Sequence, residues 1–165
     1  MNLALLPGVV LDGRSVAALQ ALKSGQPVNS SDRQGWTALL HAVAAGSLSL
    51  ARDLVARHAD VNARNSKGDT ALLVPLRSGH LAETEMLIAA GSDLQSANEQ
   101  GRTALITAAM HGDFSVCRLL LARGADPSRR DENAKTALDY AKSEVILKWS
   151  HYSRRRPPSG KLDPP

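Results

Sequence analysis

A chain of 165 residues is long enough for one domain of ordinary size with a core of its own. Its 43% hydrophobic and 22% charged residues fit a soluble, folded protein. Aromatic residues make up only 3%, so the core must be built from Ala, Leu, Val and Ile. The net charge of +4 is unevenly placed: residues 1–128 hold eleven basic and eleven acidic side chains, and residues 129–165 hold nine and five. The body is balanced and the C-terminal end is basic.

The chain opens with the apolar stretch MNLALLPGVVL. It has no basic region, no small-residue cleavage site before Asp12, and far fewer than the roughly 20 apolar residues of a membrane span. It is read as part of the fold. From Gly13 to Asn29, GRSVAALQALKSGQPVN predicts a helix and loop behind a first helix cut short by Pro7 and Gly8.

A phrase then recurs. GWTALLHAVAAG begins at Gly35, GDTALLVPLRSG at Gly68, GRTALITAAMHG at Gly101, and a fainter AKTALDYAKSEV at Ala134. Thr37, Thr70, Thr103 and Thr136 are each 33 residues apart, as are Gly46, Gly79 and Gly112, and Asp60, Asp93 and Asp126. Several registers held at one spacing define an internal repeat.

Within the first unit, Gly35 supplies a turn and Thr37 caps a helix starting near Ala38. Leu39, Leu40, Ala42 and Val43 form its apolar stripe, and Gly46 ends it. A second helix runs from about Leu48 to about Arg57, with Leu50, Ala51, Leu54 and Val55 facing inward. Such a pair cannot bury its apolar face alone, so neighbouring units must stack. Pro75 falls inside the first helix of the second unit, where it removes a backbone hydrogen bond. The spacing predicts a tolerated kink there, or one that reshapes the inner face. Val145 stands where an inter-helix glycine is due, which predicts one continuous helix from Thr136 to about Trp149.

Catalytic and metal-binding patterns are missing from the sequence. The five histidines, His41, His58, His80, His111 and His151, make no H-x-x-x-H pair, and Cys117 is the only cysteine, which packing accounts for. Glu83 and Glu85 are too isolated for a paired-carboxylate site, and no glycine-rich phosphate loop occurs. The expectation is a protein that is not an enzyme and that uses no cofactor and no metal. The tail SHYSRRRPPSGKLDPP is too rich in proline and charge for a core, so it is expected to be disordered unless bound. Arg154, Arg155 and Arg156 are its candidate contacts, for nucleic acid, an acidic protein surface or a membrane face, with nucleic-acid binding as the main task the lesser reading.

DRQGWTALLHAVAAG from Asp32, LVARHADVN from Leu54 and NEQGRTALITAAMHGDFSVCRLLLARGADP from Asn98 to Pro127 together resemble the ankyrin repeat family. Ala38, Ala71, Ala104 and Ala137 stand where that family has proline, and His58 where it has a loop glycine. The resemblance implies an all-α solenoid of stacked helix-turn-helix units joined by β-turn or hairpin-like loops. Residues 1–30 would be an N-terminal cap, 31–130 three repeats (about 32–64, 65–97 and 98–130), 131–149 a C-terminal capping helix and 150–165 the tail.

It also implies a concave face, formed by turn tips and first helices, that binds protein partners. On this sequence the tips carry Arg33, Gln34 and Trp36, then Ser66, Lys67 and Asp69, then Glu99, Gln100 and Arg102, and last Glu132, Asn133 and Lys135. The first helices would add Ala44, Ala45, Arg77, Ser78, Met110 and His111. Trp36 is either an interface anchor or packing against the N-terminal cap or the next tip. In the family, the residue at His41 hydrogen-bonds neighbouring loop backbone. The expected role is a scaffold or structural subunit docking on a larger assembly through this face and the tail. A soluble adaptor with a transient partner is the alternative, and a nucleic-acid-associated protein the second. The chain alone is expected to be monomeric, off the membrane and cytoplasmic, with the nucleus left open by the arginine cluster.

Overall fold

The computed structural model describes residues 27–141; the expected N-terminal cap up to residue 26 and the tail lie outside them. Among the residues described, seven helices follow one another: α1 (Ala38–Ala44), α2 (Leu48–Ala56), α3 (Leu73–Ser78), α4 (Leu81–Ala89), α5 (Ala104–His111), α6 (Phe114–Ala122) and α7 (Ala137–Tyr140). Among the described residues the only extended pairings are two isolated bridges, Ser31 with Thr37 and Arg64 with Thr70.

Capping explains where the inner helices begin. The hydroxyls of Thr37, Thr103 and Thr136 accept the backbone N–H groups of Leu40, Ile106 and Asp139, satisfying donors that have no partner within the helix. Each inner helix packs on the next: α1 on α3, α3 on α5 and α5 on α7, while α2 lies against α4 in the outer row. The seam between rows is leucine at fixed spacing. Leu39, Leu72 and Leu105 are buried, and Leu54, Leu87 and Leu120 are completely so. Each contributes about 2 kcal/mol. Cys117 belongs to the same packing, at the position of Ala51 and Thr84. Burial and Asp113 push its thiol up to about 12, so it stays protonated and inert.

Two expectations change. Pro75 does not kink a helix interior: α3 begins at Leu73, two residues later than its counterparts, without a side-chain cap. This start places Pro75 third in the helix, where a backbone N–H would lack a helical partner anyway. Pro75 is then buried at the position of Ala42 and Ala108. The continuous helix expected from Thr136 is also interrupted. It ends at Tyr140, and Ala141 is extended at ψ 128°, a conformation that breaks the helical hydrogen-bond ladder. Residues 142–149 of that expected helix lie outside the described ones.

The tips are stacked by backbone. The N–H groups of Ser66, Glu99 and Glu132 donate to the carbonyls of Gln34, Lys67 and Gln100, at 2.9–3.1 Å. This approach requires glycine at Gly35: φ is +75°, and a Cβ would lie 3.0 Å from the backbone of Asn65. Ala134 holds the same left-handed conformation at φ 57°, and no further tip stacks on it among the described residues. His58 adopts φ 63° where the later units use Gly91 and Gly124. A side chain is disfavoured there by about 1 kcal/mol, so His58→Gly should raise stability by about that amount, read from the urea midpoint.

Candidate functional site

A second hydrogen-bond system gives each tip its shape. Asp32, Asn65, Asn98 and Asp131 are 33 residues apart, and each side-chain oxygen Oδ1 accepts two backbone N–H groups, two and four residues onward, at 2.8–3.1 Å. Asx turns of this kind replace backbone pairing. Between units, Asn29, Asn62 and Gln95 accept the N–H groups of Asp60, Asp93 and Asp126.

Asp32, Asp93 and Asp131 titrate low. Burial pushes Asp32 up, but the Trp36 and Gln34 N–H groups and the His41 ring outweigh it. The Gln95 N–H and the Ser96 hydroxyl lower Asp93. For Asp131, burial is overcome by the Tyr140 hydroxyl and the N–H groups of Lys135 and Asn133. A carboxyl depressed by folding stabilises above its unfolded pKa, and that stability is lost as pH falls through the folded value. Thermal melts should therefore be flat from pH 7 to about 5 and fall below about pH 4. Asp32→Asn keeps the Oδ1 acceptor, as Asn65 and Asn98 do, and should weaken the acid dependence while preserving the turn at pH 7.

Between the first and second units lies a groove of about 410 Å³. It brings together Gln34, Trp36, Ser66, Lys67, Asp69 and Arg77 with Ala44, Asn65, Val74 and Ser78. Its position follows from side-chain size: Ala44 stands where the next units carry Arg77 and Met110. Trp36 is half-buried, packs against the core, and meets the His41 ring with centroids 5.2 Å apart. His41 Nε2 lies 3.1 Å from Asp32 Oδ2, so this ring pairs with a carboxylate.

Arg77 and Asp69 form a two-pronged ion pair at 2.7 and 2.9 Å. The Asp69 side chain is 3% exposed and also accepts from the Asn98 amide at 3.0 Å. Asp69 thus braces Arg77 and the third tip and presents little surface to a partner. Lys67 is exposed and forms no ion pair among the described residues.

The other expected contacts do not line this groove. Arg33, Glu99 and His111 are exposed elsewhere on the tips and inner row, Gln100 and Arg102 are half-buried, and Met110 packs against the core. Arg154, Arg155 and Arg156 lie outside the described residues. A second depression, of about 400 Å³, lies between α4 and α6 and is lined by Leu81, Glu85, Ser115, Arg118, Leu119 and Ala122. Among the described residues no group of three His, Cys, Asp or Glu side chains is placed to hold a metal, and no helix is long and apolar enough to cross a membrane.

The stacked helical pairs, with hairpin tips repeating every 33 residues, define an all-α repeat solenoid. The family profile for ankyrin repeats (3 copies) matches residues 9–98 and that for ankyrin repeats (many copies) matches residues 87–141; the chain belongs to the ankyrin repeat family. Ankyrin repeats are generally protein–protein interaction modules and typically not enzymes. No curated protein sequence matches the chain.

Proposed function

We propose that the protein is a non-enzymatic scaffold or structural subunit, cytoplasmic, which docks on a larger protein through its groove face with the basic tail as a second contact. The observation that carries this reading is the convergence of Trp36, Lys67 and Arg77 on one open groove. A half-buried indole beside accessible cations is the composition that dominates binding energy at protein interfaces. The Arg77 guanidinium is braced by Asp69 before any partner arrives, which reduces the ordering cost of binding.

Trp36→Ala should weaken partner binding at least tenfold. Trp36 also packs on the core, so a second variant separates binding from folding. Ser78 is exposed and lines the groove, and Ser78→Arg fills it without removing a core contact. Both should lower affinity measured by calorimetry with the co-purified partner, while Ser78→Arg keeps the wild-type melting temperature. Unchanged affinity in Ser78→Arg and Trp36→Ala would sink the groove as the docking site.

A further inference from the structure

The groove's charge and shape narrow what it accepts. We infer that its occupant is a segment of a partner protein that sets a carboxylate beside an apolar side chain; this rests on the groove being the docking site.

Three lining residues are apolar. Trp36 is half-buried, Ala44 is half-buried, and Val74 is 7% exposed. An apolar side chain entering the space left by Ala44 covers this surface and gains from its removal from water. Charge decides what sits next to it. Of the two cations lining the groove, Arg77 is offset by the buried Asp69 carboxylate. Lys67 has no such partner among the described residues, and among them it is the groove's uncompensated charge. Glu99 stands at the next tip, where its N–H donates to the Lys67 carbonyl; its side chain forms no ion pair with Lys67 and does not line the groove. Arg33, exposed on the first tip, adds a second positive charge beside Gln34. A carboxylate at Lys67 is attracted and a cation there is repelled, which gives selectivity even where the net affinity gain is small.

The test is selection of random peptides displayed on phage against the full-length protein, its Lys67→Glu variant and its Ser78→Trp variant, which fills the groove without adding charge. Wild type should enrich peptides with Asp or Glu adjacent to an aliphatic or aromatic residue. Lys67→Glu should reverse the charge preference to Lys or Arg and keep the apolar residue. A wild-type peptide should bind Lys67→Glu at least tenfold more weakly and be rescued by reversing its own charge. Peptides whose charge preference is absent, or does not move with Lys67→Glu, overturn the inference. Where those same peptides still lose binding to Ser78→Trp, the groove survives as the docking site. Peptides that bind Ser78→Trp as tightly as wild type place the contact elsewhere, and the groove reading falls with the inference. Enrichment of no peptide overturns a linear segment as the occupant.

Discussion

Replacing Asp69 with alanine should cost about 3 kcal/mol of stability. Its carboxylate is buried and holds three donors, two from Arg77 and one from Asn98. Removing it leaves a guanidinium without its counter-charge and an amide without its acceptor, and truncation costs most where the remaining groups are shielded from water. Arg77 is 38% exposed and can rehydrate, which keeps the loss at the lower end of the range for broken buried pairs. Asp69→Asn retains an oxygen for the Asn98 amide and should lose about half as much. Urea unfolding at pH 7 separates these outcomes. Equal midpoints for wild type and Asp69→Ala would mean that the network adds nothing to the fold. Loss of stability in both variants, graded in this order, ties the second unit to the third through one carboxylate.

The second large effect runs the other way: Glu83→Leu should stabilise the protein by about 1 kcal/mol. Leu50 and Val116 occupy the corresponding place in the first and third units and are 0% and 1% exposed. Glu83 is 5% exposed and takes part in no hydrogen bond or ion pair among the described residues. The Glu83 oxygens are not among the buried polar atoms left without a partner, so the gain comes from leucine extending the apolar seam at that position. The first turn of α4 favours an acidic residue by a few tenths of a kcal/mol, too little to reverse the sign. A lower melting temperature for Glu83→Leu would show that the carboxylate has a structural task.

Much of the fold is legible in the sequence because the repeat writes each role several times. Thr37, Thr103 and Thr136 announce caps, and Gly46 and Gly112 announce helix ends. The Asx register at Asp32, Asn65, Asn98 and Asp131 shares the 33-residue spacing but is not among the registers read from the sequence. Asp and Asn alternate there, and only the shared Oδ1 acceptor makes them equivalent. The start of α3 was less legible, since a proline in a short helix is accommodated either by a bend or by a delayed start. Of the residues that the family resemblance points to, Gln34, Trp36, Ser66, Lys67 and Arg77 line the groove. Spacing does not reveal that Asp69 turns inward to Arg77, eight residues away, or that Ala44 makes the room. Those depend on side-chain size and pairing between neighbouring units, which no single repeat displays.

The most direct test of the central claim is site-specific photo-crosslinking in cells of the native source, with a photoreactive residue at Ser78 in the groove or at Ser115 in the outer depression. A partner adduct that forms from Ser78 and not from Ser115, and vanishes with Trp36→Ala, is the result expected of a groove that docks a protein. An adduct from Ser115 with none from Ser78 would contradict it and move the binding face to the outer helices.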